Sequence, residues 1–292
     1  MARHGGMLVF HRRGVRFDGW KGNVLMKPLS LAHLTVLDVG PPDLIELAAS
    51  AGFRAISIRL CSPVHGGIEY PLLARSPELR STKRLLHELD VKVTDIEVIT
   101  LAANTSIGDY ENTFEAGAEL GAHRACVNID DTDRARVIDR FSALCDLAAP
   151  FGLSLDVEFM LWRPVARLAD AVNIVLSSGK PNAFVLIDAL HLIRSGGTVE
   201  EVAALDPQII GSVQLCDAPM ASPADIVAEA RGDRLLPGEG ELPLRALLAV
   251  LPDNLPLAVE VPLKRETNPL KRAILVQHAS QSLLETSARV TR

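Results

Sequence analysis

The sequence predicts a single-domain (β/α)8 TIM barrel. Three observations lead there: eight apolar strand-like runs alternate with helical stretches, the runs lack in–out alternation, and no second architecture interrupts the order. Strands apolar throughout, such as RAISIRL, RACVNI and NAFVLI, are buried on both faces, as parallel strands covered by helices must be. Eight strand-then-helix units suit a closed barrel better than an open sheet. The chain has 292 residues, 48% of them hydrophobic, enough for one such core.

The predicted strands are 34–39, 55–60, 91–101, 124–129, 153–159, 183–187, 209–215 and 257–261. Predicted helices cover 42–51, 77–89, 110–120, 132–149, 164–178, 199–204, 242–251 and 268–286. Several stop at glycine (Gly52, Gly121, Gly179), and several begin at proline (Pro42, Pro77, Pro164). These are the expected stop and start signals. Residues 1–28 carry Arg3, Arg12, Arg13, Arg16, Lys21 and Lys27 and read as a basic, poorly ordered arm, leaving 29–292 for the barrel.

The composition removes several function classes. A net charge of −6 gives no general attraction to nucleic acid or anionic membranes, and 4% aromatic residues provide few stacking platforms. No run of about 18 apolar residues predicts a membrane span. No GxGxxG follows the first strand and no GxxxxGK[ST] occurs, so nucleotide-phosphate cradles are missing. Cys61, Cys126, Cys145 and Cys216 match no zinc or disulfide pattern and read as core thiols in a reducing, cytoplasmic setting. The expected partner is a small-molecule substrate, and homo-oligomerisation is left open.

Chemistry in this fold sits at the C-terminal ends of the strands. Strand 5 delivers Glu158, strand 6 Asp188, strand 7 Gln214 and Asp217, and strand 8 Glu260. An isolated acid after an apolar run can simply cap the next helix. Asp188 and Glu260, however, are embedded in apolar runs, and a buried charge needs a partner. A shared cation would balance all three acids; arginines could too, but few lie near those strand ends. The all-oxygen set Glu158, Asp188, Gln214 and Glu260 suits one divalent metal, Mn2+, Mg2+ or Co2+, better than tetrahedral zinc. Such a metal polarises a carbonyl, and a carboxylate beside it can move a proton on the adjacent carbon. His191 is three residues beyond Asp188 and can serve as a general acid or base, or hold a substrate oxygen. Arg231 and Arg234 precede the turn Pro237-Gly238-x-Gly240; either could reach over the barrel mouth to a substrate oxygen or carboxylate. Arg59, His65, Glu97 and Asn128 are further candidate substrate contacts, or else caps, and Asp217 is a candidate substrate contact as well.

The order Glu158 … Asp188-x-x-His191 … Gln214-x-x-Asp217 … Arg234-x-x-Pro237-Gly238-x-Gly240 … Glu260 resembles the xylose isomerase-like superfamily of sugar phosphate isomerases and epimerases, across roughly residues 30–290. The resemblance implies metal ligation by Glu158, Asp188, Gln214 and Glu260. It also implies acid/base roles for Glu158 and Glu260, and substrate contacts for His191 and Arg234. Many members have histidine where Gln214 stands. Gln214 is similar to the ligand of hydroxypyruvate isomerases and of bacterial 3-dehydroshikimate dehydratases, in which His191 would match a proton-shuttling residue. The expected function is therefore a metal-dependent isomerase or epimerase of a small polyhydroxylated carbonyl compound, working through an enediolate in carbohydrate metabolism. The alternative is a dehydratase or lyase using the same enolate. An abasic-site endonuclease of this superfamily would need more histidine ligands and a basic face, and a non-catalytic sugar-binding barrel would need neither acid nor base.

Overall fold

The computed structural model describes residues 29–64 and 66–290, with no side-chain statement possible beyond residue 287. The basic arm expected over residues 1–28, and the candidate contact His65, lie outside the described residues.

Eight parallel strands close into a barrel in chain order. They are β1 (Leu29–Leu31), β2 (Ala55–Arg59), β3 (Lys92–Ala102), β4 (Arg124–Asp130), β5 (Ser154–Val157), β6 (Ala183–Asp188), β7 (Ile210–Leu215) and β8 (Leu257–Val259). Closure comes from β1 against β8, with Leu31 opposite Val259. The surrounding helices are α1 (Pro41–Ala51), α2 (Pro77–Glu88), α3 (Glu111–Leu120), α4 (Arg134–Ala148), α5 (Leu168–Ser178), α6 (Ala189–Arg194), α7 (Val199–Ala203), α8 (Ile226–Gly232), α9 (Leu244–Val250) and α10 (Pro269–Val290). No helix among the described residues is long and apolar enough to cross a membrane.

Strands 2 to 8 fall where the apolar runs lie, within a few residues at each end. The first does not. The run 34–39 was expected as strand 1, but the strand is the shorter Leu29–Leu31, and His33–Val36 forms a 3-10 turn. That turn is apolar because it is buried against the barrel end. Thr35 Oγ1 donates to Val259 O at 3.1 Å and accepts from Val261 N at 2.9 Å, tying the turn to β8. Periodicity alone cannot separate a buried turn from a buried strand. Two short helices were also unforeseen as separate elements. Asp188 caps α6 and Asp225 caps α8, each accepting backbone N–H groups of the first turn.

The N-terminal half of the barrel interior is polar. Arg124 makes two contacts to Asp156, at 2.6 and 2.5 Å, and stacks over Phe184 at 4.7 Å. Ser212 Oγ donates to Asp156 Oδ2. A Cβ at Gly211 would sit 2.1 Å from the Arg124 guanidinium, so only glycine lets β7 pass this pair. Alongside it, Asp95 accepts from Ser57 Oγ and Thr94 Oγ1, and a void of about 20 Å³, room for about one water, separates this layer from Gln214 above. The polar floor puts the apolar strand faces outward against the helices and leaves the C-terminal ends free to carry a site.

Candidate active site

Asp188 ends β6, and its Oδ1 accepts from His191 N at 2.8 Å. This cap starts α6 at once and swings His191 back over the barrel mouth. His191 Nε2 comes 3.7 Å from Glu158 Oε1, and the edge of Trp162 closes on the imidazole at 5.1 Å. Glu158 follows β5, its backbone N–H bonded to Val127 O, and its Oε2 accepts from the Cys126 thiol at 3.4 Å. Glu158, Asp188 and His191 each offer a ligand atom within 4.8 Å of the others, and all three are buried. Gln214 lies beside Asp188 in the β6–β7 register. Its Nε2 donates to Glu260 Oε1 at 3.3 Å, and its buried Oε1 has no partner among the described residues.

Arg234 is the residue whose position the sequence could not supply. It is only 2% exposed. Its Nη1 is 2.7 Å from Asp188 Oδ2 and its Nη2 is 2.8 Å from Glu260 Oε2. Few arginines were expected near the acidic strand ends; this one arrives from the segment after α8 and balances two of the acids directly. Two isolated antiparallel bridges, Asp217 with Leu235 and Asp233 with Leu263, pin that segment to the barrel rim. Asp217 completes the clamp. Its carboxylate accepts from Ala218 N, Leu242 N and Gly238 N, so it builds the turn that presents Arg234 instead of touching a substrate. A Cβ at Gly240 would come within 2.4 Å of Asp217 Oδ1 and 2.5 Å of Ala218 O, which explains glycine there.

The electrostatics follow from burial. Burial, with Asp188 adding to it, raises the Glu158 carboxyl to about 7. Burial also disfavours the ionised form of Asp188, but Arg234 and His191 outweigh it and hold its pKa below the usual value. Burial lowers His191 to about 4 against the pull of Asp188, leaving a neutral imidazole near pH 7. Glu260 is pushed up by burial, with Arg234 opposing.

A cavity of about 280 Å³ opens above these groups. Of the sequence candidates, Glu158, His191, Arg231, Arg234, Glu260, Arg59 and Asn128 line it. Asp188 and Gln214 lie beneath its floor, outside its lining. Glu97 is fully buried behind Arg59, bonded to Arg59 Nη2 and His33 N, and so orients Arg59 instead of meeting a ligand. Trp162, Arg163 and Met160 also line the cavity and were not foreseen. The proline after Trp162-Arg163 was read as a helix start, whereas α5 begins only at Leu168 and the intervening residues form a loop at the mouth.

The donor set of the cluster fits a divalent cation. Arg234 pairs with two of the three buried carboxylates, Asp188 and Glu260, and Glu158 has no guanidinium partner among the described residues. The free Gln214 Oε1 and the free His191 Nδ1 add neutral donor atoms. The set fits a cation: Glu158, Asp188 and His191 offer ligand atoms close together, and Gln214 and Glu260 of the expected quartet adjoin them, Glu260 held by Arg234 and Gln214.

Sequence comparison decides the family: the model of the xylose isomerase-like TIM barrel family matches residues 45–277. The chain belongs to that family. Among curated relatives in it, a 3-dehydroshikimate dehydratase of Pseudomonas aeruginosa is 26% identical over 221 residues, 71% of this chain and 33% of that protein. An inosose isomerase of Bacillus licheniformis is 27% identical over 123 residues, 41% of this chain and 43% of the relative. The chain thus spans less than half the length of either relative. Among solved structures of the fold, the IOLI protein with a bound zinc atom superimposes with a TM-score of 0.74 at 18% identity, covering 89% of this chain and 99% of that one.

Proposed function

We propose that this chain is a divalent-metal-dependent enzyme that removes a proton from the carbon next to a carbonyl of a small polyhydroxylated compound, giving isomerisation or epimerisation. The observation that carries the proposal is the buried cluster of Glu158, Asp188 and His191 beside an open cavity, with Arg234 paired to Asp188 but not to Glu158. Glu158, Asp188 and His191 would hold the cation, with Gln214 Oε1 as the remaining oxygen at that level. Mn2+, Mg2+ and Co2+ suit the oxygen-rich set; the histidine also admits Zn2+, the metal named for the solved relative. When bound, the cation polarises the substrate carbonyl and makes the neighbouring C–H more acidic.

The protein's own groups do the proton work. A carboxylate can bind through one oxygen and keep the other for a proton, so Glu158 is the first candidate base, and Glu260, across the site, the second. Arg234 holds Glu260 and Asp188 in place and offsets their charge. Trp162 packs on His191 and limits water at the imidazole.

A second reading, dehydration, has a specific observation in its favour. In this reading the cation rests on Glu158, Asp188, Gln214 and Glu260 and leaves His191 free; its Nε2 lies 3.7 Å from Glu158 Oε1, so a proton taken at carbon by Glu158 has a short route to an imidazole that protonates the departing hydroxyl. The dehydratase named for the longer-matching relative, and Gln214 in place of histidine, point the same way.

The test is to strip the protein with chelator, reload it with each metal in turn, and incubate it with candidate oxo compounds in D2O. Deuterium entering the substrate without loss of water supports isomerisation or epimerisation. A new conjugated ultraviolet absorbance supports dehydration. Full turnover by the metal-free protein would sink both.

A further inference from the structure

Four arginines line the cavity, and they are not alike. Arg234 is saturated by Asp188, Glu260 and backbone oxygens. Arg59 is 5% exposed and meets one carboxylate, Glu97, through Nη2; its buried Nε has no partner among the described residues. Arg163 repeats the pattern from the loop after β5. Its Nη1 reaches Asp130, whose side chain is 51% exposed, its Nη2 reaches Pro63 O at 3.4 Å, and its buried Nε has no partner among the described residues. Arg231, on α8, is exposed at the cavity, and its side chain makes no ion pair or hydrogen bond with any described residue.

A buried N–H without an acceptor is rare in folded proteins, and two of them on cavity-lining guanidinium groups call for an acceptor that arrives from outside. A neutral hydroxyl could satisfy one N–H. It could not offset the charge of Arg231, nor that of Arg163, whose only carboxylate partner among the described residues is half in water. A planar or tetrahedral oxyanion answers both needs, because guanidinium groups bind carboxylate and phosphate through paired N–H donors.

We propose that the cavity-lining arginines Arg59, Arg163 and Arg231, carried by β2, the loop after β5 and α8, receive an anionic group of the substrate. The substrate is then a polyhydroxylated carbonyl compound bearing a carboxylate or a phosphate, and not an uncharged sugar. This rests on the reaction reading above for the identity of the site, but the anion subsite is testable by binding alone.

Calorimetric titration of the full chain, with and without added Mn2+, would use three probes. Quinate is a cyclic polyol with a carboxylate, an inositol monophosphate is one with a phosphate, and myo-inositol is uncharged. One of the two anions should bind at least about tenfold more tightly than myo-inositol, and which one does so identifies the anionic group. Arg163→Gln and Arg231→Gln should each weaken that anion about tenfold while leaving myo-inositol unchanged. Arg163→Lys, which keeps the charge but not the fork, should fall between, and Arg265→Gln, on a surface pair with Glu239, should behave as the parent. Near-ultraviolet circular dichroism checks that each variant is folded. Anions binding no better than myo-inositol, or Arg163→Gln weakening all probes alike, would overturn the proposal. If anions bind through Arg163 while no oxo compound exchanges deuterium, the reaction reading falls and the anion site stands. If exchange proceeds on uncharged compounds and ignores Arg163→Gln, the converse holds.

Discussion

Arg234 Nη1 lies 2.7 Å from Asp188 Oδ2, and neither side chain reaches solvent. The same guanidinium holds Glu260 at 2.8 Å, so one cation organises two of the acids at the barrel mouth. Breaking a buried pair from one side leaves uncompensated charge and costs about 3–5 kcal/mol. Arg234→Ala should therefore lose stability on that scale, measured by urea unfolding. Addition of a divalent metal should raise the melting temperature of the variant more than that of the parent, because the cation replaces part of the missing charge. An equal rise in both would show that Arg234 and the metal answer to different acids.

Asp217 acts on the site at one remove. Three backbone amides, Ala218, Gly238 and Leu242, lose their acceptor in Asp217→Ala. At about 1 kcal/mol per bond the loss should total about 2–4 kcal/mol. Asp217→Asn keeps one acceptor oxygen and should recover part of it. Thermal melts of the pair make the comparison, and turnover should drop along with stability, since the turn carries Arg234.

Glu158→Gln removes the base and a ligand while preserving size. Turnover should fall by about 10²–10⁴-fold, and metal affinity with it, with the melting temperature of the metal-free protein held or raised. The last point follows from burial, which disfavours the ionised carboxylate that glutamine replaces. Deuterium exchange and a metal titration read the two effects separately. Retention of exchange would move the base to Glu260.

Asp95, in the barrel floor, predicts a pH dependence unrelated to catalysis. Burial, then Glu97, raises its carboxyl to about 7, above the value of about 4 in the unfolded chain. The folded state therefore binds the extra proton. Its contribution is full below pH about 4, declines as pH rises toward 7, and is lost above that. Asp95→Asn should flatten this slope: relative to the parent, the variant should gain on the order of a few kcal/mol between pH 5 and pH 8 in denaturant titrations. Parallel slopes for the two proteins would locate the dependence elsewhere.

Much of the fold was legible because burial on both faces forces an unmistakable pattern. Strands β2 to β8 are largely buried and rich in apolar residues, and the helices α1 and α3 stop at Gly52 and Gly121, which adopt left-handed φ values of 91° and 96°. Strand β1 was not legible, since Thr35 and Val36 are as buried in a turn as they would be in a strand. In the same way, Glu158, Asp188, Gln214 and Glu260 could be picked out as oxygen donors at strand ends, because the barrel's periodicity places strand ends at one level.

What the sequence by itself determined is the barrel, the family resemblance and the set of acids at its mouth, all of which depend on local pattern and chain order. What only the tertiary structure decided is which groups meet. His191 joins Glu158 because a helix starts at Asp188, and Arg234 joins Asp188 and Glu260 because Asp217 clamps a turn from a long, irregular segment. Arg163 enters the cavity from a loop with no repeating pattern. Pair contacts among loops depend on distances in space between residues far apart in the chain, and no periodicity in the sequence encodes them.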